Sequence, residues 1–192
     1  DALIDVIDEP ISTWHLLGSA LKALGQTRDP RAGDVLRSKL DQDSWGEVVR
    51  TRALAGLAAT REESALDTLL RHTRADQHDR VRAASAGALG TLGDKTPSVK
   101  DAVLERLVEM LTEPGFRAQL GAIAALQSLK DSRAVGALTQ VHRSAPDGRT
   151  RRAAYEALQG IKAGRTGEEA LQSLRTDLEK LREQNAELLE RV

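Results

Sequence analysis

Four histidines, His15, His72, His78 and His142, are the only imidazoles in a chain of 192 residues that has no cysteine. Without thiols there can be no disulfide, thiolate zinc site or cysteine nucleophile, and zinc would need about three converging imidazole or carboxylate ligands. His72 and His78 stand six apart across an expected helix end, with Asp76 and Asp79 beside them. That spacing reads as solvated turn residues rather than a ligand set. His142 falls late in another expected helix, where partial positive charge offsets the helix dipole. Gly87, Gly90 and Gly93 follow a G-x-x-G-x-x-G spacing with no strand before them, unlike the phosphate-binding G-x-G-x-x-G turn, so close packing and a helix stop account for them. No H-E-x-x-H occurs, and nothing singles out a catalytic pair among the 29 acidic residues. The expectation is a segment without catalytic residues, cofactor or metal of its own.

Charge and hydropathy exclude further classes. Arg143, Arg149, Arg151, Arg152 and Lys162 form a local basic cluster, but Asp147 and Glu156 interleave with it. With a net charge of −1, a solvated face is the better reading than a nucleic-acid site or an acidic-membrane contact. No apolar run nears the roughly 20 residues that span a bilayer. The lack of cysteine and of a signal-like segment favours a cytoplasmic location, and a start at Asp1 reads as an excised domain or processed product.

The elements that must position any site are helices. Ala and Leu fill more than a quarter of the chain, whereas Trp14, Trp45, Phe116 and Tyr155 are its only aromatics. This composition predicts an all-α fold and leaves too few rings for an aromatic-lined pocket or a base-stacking platform. Five copies of one helix recur every 32 to 37 residues, closing on Leu24, Leu57, Leu89, Leu126 and Leu158. Counting from Leu16, Val49, Val81, Ala118 and Thr150, small residues fall at +4 and +7. Apolar ones fall at +5 (Leu21, Leu54, Ala86, Ile123, Tyr155) and at +8. Such a face lets a neighbouring helix approach closely. The copies are placed near 11–25, 46–59, 79–93, 115–129 and 149–162, with second helices near 31–40, 63–73, 98–111 and 133–143. Ser44 and Glu47 match a capping box, and Gly25, Gly93 and Asp94 sit where a repeated helix should stop. Units of this kind stack into an α-solenoid of about five hairpins.

The run Val81-Arg82-Ala83-Ala84-Ser85-Ala86-Gly87-Ala88-Leu89-Gly90-Thr91-Leu92 resembles the HEAT-repeat family. The resemblance implies inter-repeat arginines at Arg50, Arg82 and Arg151, paired with Asp43, with Asp76 or Asp79, and with Asp147. Gln119 and Leu17 depart from that pattern. A finer likeness rests on Ser44-Trp45-Gly46-Glu47-Val48-Val49-Arg50, Ala53 to Ala58, Ser64-Ala65-Leu66, Arg80 to Ala84 and Phe116-Arg117 through Leu126. These segments are similar to the C-terminal HEAT-like region of bacterial zinc aminopeptidases of the alanyl-aminopeptidase type. That likeness implies a non-catalytic accessory domain that packs on an upstream zinc-bearing catalytic domain and shapes peptide access. The alternative is a free-standing protein-binding scaffold, and a third class is HEAT-like chemistry of the phycobilin-lyase type. In the HEAT arrangement the repeated helices line the concave side, where helical phase offers Arg52, Thr91, Gln127, Arg152 and Glu156 as contacts.

Residues 1–166 form the expected solenoid, and 167–192 a long acidic helix. Leu171, Leu174, Leu178, Leu181, Asn185, Leu188 and Val192 occupy successive heptad positions, with the chain's single Asn at an a position. The first half, through Leu171, Leu174 and Leu178, is expected to cap the last hairpin. The end is expected to project, with Leu181, Asn185 and Leu188 as a homodimer seam.

Overall fold

Leu and Ala at helical spacing, punctuated by Pro30, Pro97 and Pro146, give short helices that cannot bury their apolar faces alone. The computed structural model describes residues 2–8 and 13–190; the side chains of 165, 166, 168–170, 173, 174, 176, 177, 179–181 and 183–190 lie outside the description. The elements are α1 (Ala2–Asp8), α2 (Trp14–Thr27), α3 (Ala32–Ser38), α4 (Val48–Thr60) and α5 (Leu66–Arg71). They continue with α6 (Asp79–Lys95), α7 (Lys100–Met110), α8 (Phe116–Leu129), α9 (Val135–Ser144) and α10 (Gly148–Glu190). Single 3₁₀ turns lead into α4, α5, α7 and α9. The fold is an all-α solenoid, and α1, which the repeat pattern does not assign, adds the buried Ile7 to its core.

Helices α2, α4, α6, α8 and α10 pack side by side in chain order, and α3, α5, α7 and α9 each lie on the even-numbered helix that follows. Direct pairing within the odd-numbered layer is far sparser, so the even-numbered layer is the tighter one. Leu54, Leu57, Leu89 and Leu126 from that layer meet Leu36, Leu69, Leu107 and Leu138 from the other, all fully buried. The apolar periodicity therefore builds one continuous core between the layers.

The tight seams require small residues. A Cβ on Gly25 would collide with the carbonyl oxygen of Gly56, and one on Gly56 would lie 2.7 Å from that of Leu21. Gly25 and Gly93 are thus interior packing residues and not helix stops, and Asp94 too lies inside α6. The ends of α2, α4 and α8 are instead set by Arg28, Arg61 and Lys130, which hold φ of 56°, 63° and 51°. Left-handed caps usually carry glycine, but a cation here faces the negative end of the helix dipole.

Three further expectations change. Ser44 accepts a hydrogen bond from the Val49 amide at 3.0 Å, while the Glu47 carboxylate turns to Arg50. The capping box fails because Gly46 and Glu47 are both left-handed and insert an extra turn before α4. Leu16 and Tyr155, placed on the buried face by the alignment, are 52% and 49% exposed; each lies on the first or last repeated helix, which has another repeated helix on one side only. Finally, α10 runs unbroken through the expected boundary at 166, and Leu171 and Leu178 are exposed. They do not cover the last hairpin; the Leu174 side chain lies outside the described residues.

Candidate functional site

Helices α4, α6, α8 and α10 each begin against the end of the preceding odd-numbered helix, whose last carbonyls lack partners within their own helix. Side chains from the even layer supply them. Arg50 Nε donates to the Leu40 carbonyl at 2.6 Å, Arg82 Nε to that of Thr73 at 3.0 Å, and Arg151 to that of Ala145 at 2.9 Å. Gln119, the departure in sequence, does the same: its amide donates to the Leu111 and Glu113 carbonyls at 3.3 and 2.9 Å. The shared requirement is a donor aimed at carbonyls, which Gln meets as Arg does.

The expected acidic partners hold only in part. Arg50 pairs with Glu47 and reaches Asp43 at 3.7 Å. Arg82 does not pair with Asp76 or Asp79 but crosses to the next turn, meeting Glu113 at 2.6 Å and the Pro114 carbonyl at 2.5 Å. Arg106 grips the same carboxylate at 2.6 Å and donates to Thr73. The Arg106 hydrogen bond holds the Glu113 carboxyl below the ordinary carboxylate value, against an opposing effect of burial. Asp79 is engaged elsewhere: it accepts from the Arg117 and Ala118 amides at 3.0 and 3.1 Å and so caps α8 from the preceding repeat. Gly115 makes this contact feasible. It has φ of 113°, and a Cβ there would lie 2.5 Å from the Asp79 carboxylate. Asp147 binds Arg149 rather than Arg151 because its carboxylate closes its own turn over the Arg149 amide.

The histidines also serve the fold. His72 bonds the Thr68 carbonyl, His78 accepts from the Arg80 amide as the cap of α6, and His142 bridges to the Arg151 carbonyl and the Tyr155 ring. Within the basic cluster, Arg149 lies 4.1 Å over the Phe116 ring and Arg152 pairs with Glu156 at 2.8 Å. Among the described residues no helix is long and apolar enough to cross a membrane.

An open groove of about 590 Å³ runs over α2, α4 and α6 on the tight layer. Its floor is Ala55, Ala59, Ala84, Gly87 and Ala88, and its rim carries His15, Lys22, Gln26, Thr51, Arg52 and Thr91. A smaller extension of about 240 Å³ continues over α6 and α8 past Asp94, Ala124 and Ser128. Of the five contacts chosen by helical phase, the structure brings Arg52 and Thr91 together here. Gln127 instead lies over Gly160 between α8 and α10, and Arg152 and Glu156 sit on α10 outside the groove lining. His15, Lys22 and the floor were missed. The signal was available at +6 and +10 of the aligned copies, where Lys22, Ala55, Gly87 and Ala124 follow one another and Gln26, Ala59, Thr91 and Ser128 do likewise. The dimer seam of Leu181, Asn185 and Leu188 falls within α10, but those side chains lie outside the described residues.

Residues 46–116 match the family model of HEAT repeats, and residues 16–42 that of the PBS lyase HEAT-like repeat. These are HEAT-like repeats. Among solved structures, the HEAT-like stack is similar to a chain of the complex of CpcE and CpcF of phycocyanin lyase from Nostoc sp. PCC7120. That match has 23% identity and a TM-score of 0.64, over 81% of this chain and 95% of that one. It is also similar to a designed armadillo repeat protein in complex with the peptide (KR)4, at 17% identity and a TM-score of 0.57, over 83% and 80% of the two chains. At these identities the likeness shows the fold. The search of curated proteins found no match. The HEAT-repeat scaffold fits these relatives better than the zinc-aminopeptidase accessory domain, which none of them supports. The segments that carried the finer likeness are the turn, the carbonyl donor and the close-packed seam, features that HEAT-like stacking itself demands.

Proposed function

We propose that the chain is a non-catalytic HEAT-like scaffold that holds a segment of another protein in the groove over α2, α4 and α6. One observation carries this reading: a floor of small residues from the neighbouring helices α4 and α6, bordered by polar side chains of α2, α4 and α6. Such a floor lets a foreign backbone lie close, while Gln26, Thr51 and Arg52 offer it hydrogen bonds. Two relatives of the same fold are recorded with another polypeptide, CpcF in one case and a peptide in the other. Gly87 supplies the test, because a Cβ there meets nothing within 4 Å. Peptides selected on the intact chain from a displayed library should lose binding to Gly87→Trp, with thermal unfolding unchanged. Selected peptides that bind both proteins equally would remove the groove from the proposal.

A second reading, self-association through the tail, is favoured by Leu171 and Leu178, exposed one heptad apart on an unbroken helix. Leu181→Glu with Leu188→Glu should then reduce the mass seen by light scattering to that of a monomer. An unchanged mass would dismiss the seam.

A further inference from the structure

The groove's charged groups, Lys22 and Arg52, are both cations. His15, Lys22 and Arg52 line it, and no carboxylate does. Their position is built into the stack: the Arg52 stem lies across Gly18, where a Cβ would come within 2.8 Å of its Cγ, so the guanidinium is held at the α2–α4 seam. Several other arginines are spent on ion pairs, as with Arg31, Arg37, Arg82, Arg106 and Arg133. Lys22 and Arg52 have no acidic partner among the described residues. Toward α8 the polarity fades, because Asp94 is paired with Lys95. Trp14 and Trp45 are exposed and precede His15 by one residue and Val48 by three in the chain, but neither lines the groove.

Resting on the groove reading above, we infer that the occupant is an acidic segment of a partner protein in extended form. Its carboxylates lie over α2 and α4 and its uncharged residues over α6 and α8. Charge complementarity chooses the sign, and the small floor favours an extended chain over a bulky helix.

The test uses the full chain and three fluorescein-labelled decapeptides built from Ala, Ser and Leu, with four Glu, four Lys or no charged residue. The Glu peptide should bind, raise the fluorescein anisotropy and weaken as salt rises. Lys22→Glu with Arg52→Glu should weaken it about tenfold or more and transfer preference to the Lys peptide. Equal binding of all three peptides, lost in Gly87→Trp, would overturn the acidic inference and leave the groove reading standing. Failure of the Glu peptide to bind the intact chain would overturn the inference. Glu-peptide binding that ignores both the charge reversal and Gly87→Trp would sink inference and groove together. Self-association abolished by the charge reversal would make the occupant the acidic tail of a second copy, and would likewise overturn it.

Discussion

The turn edge and the groove of this solenoid use the same cations to opposite ends. At the edge, Arg82 is 3% exposed and all its bonds go to Thr73, Glu113 and Pro114, which belong to the α5–α6 and α7–α8 turns. In the groove, Arg52 is exposed and bonds no acid among the described residues, though its stem is pinned over Gly18. A buried guanidinium must satisfy its donors within the protein, whereas a solvated one has water and is spared for a ligand. The contrast separates residues that join repeats from residues that the joined repeats present.

The sharpest way to break the comparison is to remove the edge cation. Arg82→Ala strands the Pro114 carbonyl and leaves both the Thr73 carbonyl and Glu113 with Arg106 alone, so it should cost about 2–3 kcal/mol in urea unfolding. Arg52→Ala should cost no more than about 0.5 kcal/mol. Similar losses for both would mean that burial does not divide the two regions. Acid should expose the same junction. Because Arg106 holds the Glu113 carboxyl below its ordinary value of 4.5, the folded chain binds fewer protons there than the unfolded one. The stabilisation is therefore complete above the unfolded value and disappears as pH falls through the lower folded value. Glu113→Gln should be the less stable protein at neutral pH and should lose less stability below pH 4.5; parallel acid titrations of the two would contradict this.

Which region could be read from sequence follows the same division. Stacking demands close seams and filled layers, and those demands leave a period that names its own residues: Leu54, Leu57, Leu89 and Leu126 are all fully buried. Arg50, Arg82 and Arg151 were legible for the same reason, since a repeated donor meets a repeated carbonyl. Their acidic partners were not, because chain proximity suggested Asp79 for Arg82, while the cap it provides for α8 is 38 residues away in sequence. The groove was harder still. Its floor consists of alanine and glycine, which seam packing also requires, so Gly87 and Gly90 look alike in sequence although one faces open space and the other a neighbouring helix. Only Arg52 and Thr91 projected far enough from that background to be chosen.

Gln119 gives a milder test of the edge. If the donor rather than the charge is what each junction needs, Gln119→Ala should cost about 1–2 kcal/mol, because two carbonyls of the α7–α8 turn lose their partner. Gln119→Arg should retain most of that stability. A destabilised Arg variant would show that this junction is built specifically for the amide.

The smallest expected effect separates the two glycines. Gly87 has a helical backbone and free space around its missing Cβ, so Gly87→Ala should raise stability by about 0.5–1 kcal/mol through lost unfolded-state entropy. At Gly90 the added carbon would lie 2.8 Å from the Ala125 Cβ, so the same substitution should lower stability by roughly 1–3 kcal/mol through overpacking of the α6–α8 seam. Opposite signs three residues apart on one helix would place the border between seam and groove on α6. Like signs would mean either that the seam yields or that the floor at Gly87 is already filled.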